Sequence, residues 1–214
     1  MKDTSVLMNE FKEGIYESLL KDIYVDDSVL EYQKERYIKS LNQYEEIFGK
    51  EEVEIYSAPG RSEVGGNHTD HQYGKVLATS INLDAIAVTA RTGDEKITVV
   101  SDGYERMEIG LNDLLAREDE RETSLALIRG VAARLKQKGY KIGGFRAYIT
   151  SDVLIGAGMS SSAAYETLIG TILSGLYNEM KLDPVFLAQA GQYAENEYFG
   201  KPCGLMDQMA SSVG

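Results

Sequence analysis

The chain has 214 residues, 43% of them hydrophobic, enough for one large domain or two small ones around a buried core. Its 34 acidic and 22 basic side chains give a formal charge of −12, which disfavours nucleic acid and anionic lipid surfaces and points to a small-molecule-facing protein. A lone cysteine, Cys203, excludes an internal disulfide and a cysteine zinc site, and the charged N-terminus and lack of a run of about 20 apolar residues favour a cytoplasmic protein with no membrane partner.

The first fifty residues are helical in pattern. Leu30, Ile38 and Leu41 recur near helical spacing among Glu, Lys and Gln with no proline between them, so residues 1–50 are expected to be an N-terminal helical appendage. From Val53 short β-branched runs take over, at Val53 to Tyr56, Val76 to Ala90, Ile97 to Ser101 and Phe145 to Thr150, which predict a sheet. Between the last two, Leu125, Ile128, Ala132 and Leu135 lie on one face of a helix that Gly139 can end. Leu168, Ile169, Ile172, Leu173 and Leu176 mark a second, more buried helix, and Asp183 with Pro184 is a cap and first position for a third. The irregular order of strands and helices predicts an α+β domain, a mixed sheet layered with helices, over residues 51–214.

Three segments carry chemistry. The first, Pro59 to Gly74 (PGRSEVGGNHTDHQYG), gathers Arg61, Asn67, His68, Asp70 and His71 among four glycines. Glycines allow close backbone approach and the polar side chains supply charge-assisted hydrogen bonds, so the segment is either a ligand loop or a solvated hairpin. The two histidines lack an evident third partner for a metal. The second segment, Ile155 to Ala164 (IGAGMSSSAA), runs into the apolar-striped helix. A Gly/Ser loop opening a helix aims unpaired N–H groups and the positive dipole end at one point, which suits a phosphate, and no Walker lysine follows; a flexible loop with a serine cap is the competing reading. The third, Ala194 to Gln208 (AENEYFGKPCGLMDQ), ends one helix at Glu195 and places Asp207 at the start of another, beyond a Gly-Pro-Cys-Gly-type turn. Two carboxylates near a phosphate loop suggest a metal ligand and a base, or simply two surface acids.

In this order and spacing the segments resemble the galactokinase branch of the GHMP kinases. The first is similar to the signature GRxNxxGEHTDYNxGxVL, the second to GxGLSSSAA and the third to AExxxxGxPCGxMDQ. The resemblance implies a two-lobed enzyme that uses ATP and Mg²⁺ to phosphorylate a sugar at its anomeric hydroxyl, galactose first among candidates. It implies Arg61 and Asp207 as the catalytic pair, with Asn67, His68, Asp70, Gly204 and Asp207 around the sugar. Gly156, Gly158, Ser160 and Ser161 would cradle phosphates, and Ser162 and Glu195 would hold the metal. The expected partner is a C-terminal lobe beyond Gly214, without which the chain would be an inactive N-terminal fragment.

Several positions depart from the signatures. Glu63 stands for Asn, Gly65 for Ile, Asn67 for Glu, His71-Gln72 for Tyr-Asn, Leu154 for Pro and Met159 for Leu. The uncharged Asn67 opens the alternative of another sugar such as galacturonate, because a carboxylate there would repel a 6-carboxylate. A non-catalytic sugar and ATP sensor is the other alternative, disfavoured by the intact Ser160-Ser161-Ser162-Ala163-Ala164 run.

Overall fold

The computed structural model describes residues 1–154 and 158–214. Among the described residues there are six strands, β1 (Lys2–Asp3), β2 (Glu52–Gly65), β3 (Leu77–Arg91), β4 (Lys96–Ser101), β5 (Met107–Gly110) and β6 (Phe145–Ser151), with the predicted β-branched runs lying in β2, β3, β4 and β6. They form one mixed sheet in the order β1-β2-β3-β6-β4-β5, antiparallel throughout except where β4 runs parallel to β6. Alternation along β3 decides what must cover it. Ile86, Val88 and Ala90 belong to one buried cluster, Ala85 and Ala87 to another, so the strand is packed on both faces.

Among the described residues seven helices supply that cover: α1 (Thr4–Lys12), α2 (Glu17–Tyr24), α3 (Leu30–Phe48), α4 (Ser124–Gln137), α5 (Ser161–Asn178), α6 (Pro184–Tyr193) and α7 (Met206–Val213). The predicted stripe on α5 is fully buried at Leu168, Ile169, Ile172 and Leu173, and packs with Leu135 of α4 and Phe145 of β6. Asp183 caps α6 by accepting from the N–H of Val185, with Pro184 in the first turn.

The other face is covered by the first fifty residues. Tyr24, Tyr37, Leu41 and Tyr44 pack on Ile86, Val88 and Tyr148, so α1 to α3 share a core with the sheet. The segment also contributes β1, where Lys2 and Asp3 pair with Val53 and Glu52. Arg36 of α3 anchors this layer. It donates to Asp84 Oδ1 at 2.6 Å and to the Asp84 carbonyl at 2.8 Å, in a pocket where Tyr24 and Ser57 also donate to Asp84.

Strand β2 runs well beyond the predicted Tyr56. Register shifts between Pro59 and Arg61 and between Glu63 and Gly65 bend its far end, which places Arg61 and Glu63 on the strand rather than in a turn.

Candidate active site

The bent end of β2 faces the N-terminus of α7. Arg61 is 5% exposed, and its guanidinium holds Asp207 in two parallel bonds, Nε to Oδ1 at 2.7 Å and Nη2 to Oδ2 at 2.9 Å. Its Nη1 donates to the Gly158 carbonyl, tying the strand to the Gly/Ser segment. Ser160, with φ of +50°, donates its hydroxyl to Asp207 Oδ2 instead of capping α5. Burial alone would push the Asp207 carboxyl up, but the hydrogen bonds from Arg61 and Ser160 outweigh it and hold it below the usual carboxylate range. Asp207 is therefore a charged acceptor and a weak base.

His68 and Asp70 lie on the turn between β2 and β3. Asn67 and His68 take left-handed φ values of +54° and +53°, which fold the chain back over Arg61. His68 Nε2 sits 2.9 Å from Arg61 Nη2 and 3.5 Å from Asp207 Oδ1. Asp70 Oδ2 accepts from the N–H of Met206 at 2.9 Å, a carboxylate on the first turn of α7 where the helix dipole favours it. Gly204 leaves room for this: a Cβ there would lie 1.8 Å from Asp70 Oδ2. Asn67 is exposed at the rim.

A second group forms where α5 begins. Among the described residues no side chain caps the helix, which leaves its first N–H groups available to an anion. Ser161 opens α5, and Ser162 donates to Glu195 Oε1 at 3.1 Å. Glu195 lies on a π-helical turn, Ala194–Phe199, that follows α6 and brings the carboxylate inward to 3% exposure. Gln208 bridges Glu195 Oε2 at 2.9 Å and Glu166 Oε2 at 3.1 Å. Burial first, and the neighbouring Glu195 second, push the Glu166 carboxyl well above its ordinary range.

Ser162 and Glu195 are hard oxygen donors of the kind Mg²⁺ prefers, and the Glu195 carboxylate is held by the neutral Ser162 hydroxyl and Gln208 amide. Among the described residues no group of three His, Cys, Asp or Glu side chains is arranged to hold a metal ion by itself. The pair therefore fits a cation jointly with oxygens from a bound nucleotide.

Comparison with known proteins bears directly on this arrangement. The galactokinase galactose-binding signature matches residues 42–91, and the GHMP kinases N terminal domain matches residues 126–214. Between them the two matches take in every residue of both clusters described above. It is 40% identical to a galactokinase of Pyrococcus furiosus over 157 residues, 73% of this chain and 43% of that one. The crystal structure of Lactococcus lactis galactokinase complexed with galactose superposes with a TM-score of 0.73 at 30% identity, over 79% of this chain and 44% of that one. Mevalonate kinase of Methanococcus jannaschii shares the fold, with a TM-score of 0.63 at 20% identity. The matched part of the chain thus covers less than half the length of these two galactokinases.

The structure brings Arg61, His68, Asp70, Gly204 and Asp207 into one cluster and Ser162 and Glu195 into an adjoining one. Gly158 contacts Arg61 through its carbonyl, and Gly156 lies outside the described residues. Sequence reasoning missed three participants. Gln208 stood in the quoted MDQ run without a role, Glu63 was only a departure from the signature, and Ser160 was read as a phosphate group or cap rather than a partner of Asp207.

Proposed function

We propose that the protein carrying this chain transfers the terminal phosphoryl group of ATP to the anomeric hydroxyl of a sugar, with α-D-galactose yielding galactose 1-phosphate as the first candidate. The observation that carries the proposal is the bidentate Arg61–Asp207 pair beside the open N-terminus of α5. Asp207, kept ionised, accepts the hydrogen of the attacking hydroxyl and orients its oxygen, and Arg61 offsets charge gathering on the transferred oxygens. In this reading His68 and Asp70 face the sugar side, Ser160 steadies Asp207, and Ser161 and the α5 N–H groups face phosphate. Ser162 and Glu195 would hold Mg²⁺, which shields the phosphate charge.

In this reading residues 51–214 are the N-terminal GHMP lobe, residues 1–50 are its outer layer, and a C-terminal lobe completes the sugar and nucleotide sites. The similarity to galactokinases of which the matched part of this chain covers only 43% and 44% supports it. The exposed, uncharged Asn67 supports galacturonate as a second substrate to try.

The test is ADP release by the full-length protein over a panel of sugars that includes galactose and galacturonate. Asp207→Asn keeps shape without charge and is expected to lower kcat by about a hundredfold or more. Near-normal kcat in that variant, or no turnover of any sugar by the parent protein, rejects the proposal. Asn67→Glu should shift kcat/KM toward galactose over galacturonate by about tenfold.

A further inference from the structure

One charged side chain near the site has no part in the reading above. Glu63 is 15% exposed, and both its oxygens are engaged with a single residue: Oε1 accepts from the backbone N–H of His68 at 2.9 Å, and Oε2 meets His68 Nδ1. The opposite ring nitrogen, Nε2, lies 2.9 Å from Arg61 Nη2. A guanidinium only donates, so Nε2 must present its lone pair and the ring proton must reside on Nδ1, where Glu63 accepts it. Arg61 in turn holds Asp207.

We infer that Glu63 is a positioning residue that fixes the tautomer and orientation of His68, and through it the Arg61–Asp207 pair. Its effect on turnover rests on the proposed kinase reaction; its effect on the ring does not. Two bonds to one residue lock both the left-handed backbone of His68 and its side chain. A carboxylate fits this task and the amide of the signature does not fit it equally: an amide carries one acceptor oxygen, and Glu63 faces two N–H donors. The same sequence holds Asn where the signature holds Glu, four residues on, so the two side-chain types have exchanged places. The negative charge has moved from the exposed rim at residue 67 to the sheltered side of His68. A sugar meeting this rim therefore meets an amide, with the carboxylate committed to His68.

The first experiment is nitrogen NMR of the full-length protein labelled with ¹⁵N-histidine, the His68 resonances assigned by their loss in His68→Gln. The parent protein is expected to show a protonated Nδ1 and an unprotonated Nε2, and Glu63→Ala should lose that pattern. A protonated Nε2 in the neutral parent ring, or an unchanged pattern in Glu63→Ala, overturns the inference. The second is a kinetic cycle. Glu63→Ala is expected to lower kcat about tenfold with KM within about twofold, and to have no further effect in a His68→Ala background. An equal loss in both backgrounds shows that Glu63 does not act through His68. If Glu63→Ala does not fold, Glu63→Gln keeps the shape with one acceptor oxygen; it should weaken the Nδ1–H pattern and lower kcat by about threefold, and parent-like values overturn the inference. If the parent protein phosphorylates no sugar, the kinase reading fails while the nitrogen spectrum still decides the role of Glu63.

Discussion

Single side chains in this site are constrained by what stands a few ångströms away. Gly204 is the sharpest case, because a methyl group there would lie 1.8 Å from Asp70 Oδ2 and evict the carboxylate from the Met206 N–H. In the full-length protein Gly204→Ala should raise the sugar KM at least about tenfold and leave nucleotide affinity unchanged, as measured by steady-state kinetics and calorimetry. Glu166 is a second case. Its folded pKa is raised by burial and by Glu195, so the folded state holds its proton more tightly and this contribution to stability is present at low pH. The contribution is lost as pH rises from the ordinary carboxylate value of about 4.3 toward the folded pKa. Glu166→Gln removes that slope, so its Tm relative to the parent should be more favourable at pH 8 than at pH 5. A pH-independent difference would count against it. The Arg61–Asp207 pair was legible through the resemblance of both motifs to those of galactokinases, which implies it. The Glu63–His68 link was not, since it depends on two consecutive left-handed residues that no local pattern announces.

At the scale of elements, the site is assembled by close approach. Gly130 of α4 faces the π-helical turn that carries Glu195, and a Cβ at Gly130 would fall 2.6 Å from the Ala194 side chain. Gly130→Ala must therefore push the turn outward, at a cost of about 1–3 kcal/mol in chemical denaturation. On the proposed role of Glu195 it should also weaken Mg²⁺-dependent nucleotide binding, whereas an unperturbed binding isotherm would count against that role. Helix stripes and strand runs were readable where one face is apolar, as on α5, or where β-branched residues cluster, as on β4. The far half of β2 was not, because Pro59, Arg61 and Glu63 are weak strand formers held there by pairing with β3. Nor was β1, whose two residues are too short for any period to register.

Across the whole molecule, one buried ion pair joins the outer helical layer to the sheet. Arg36 and Asp84 have side chains 5% and 4% exposed, and Asp152, just before the Gly/Ser segment, also contacts Arg36 at 3.1 Å. Arg36→Met strands Asp84 without its cation and should cost about 3–5 kcal/mol in urea unfolding, part of which Asp84→Asn added to it should restore. A loss below about 1 kcal/mol would mean that the apolar contacts of Tyr24, Tyr37 and Leu41 alone secure the layer. The path of β2 has a further consequence, for self-association. Only Glu52 and Val53 of its outer edge are covered by β1, and an open edge of that length invites a strand from another molecule. Near the site that invitation is withdrawn: Pro59 has no N–H to offer, its carbonyl is taken by Ser211 of α7 at 2.6 Å, and the N–H of Arg61 goes to the Met159 carbonyl at 3.2 Å. The groups that seat the Gly/Ser segment and α7 against the strand also deny a second chain the ladder it would need to dock there and begin an aggregate.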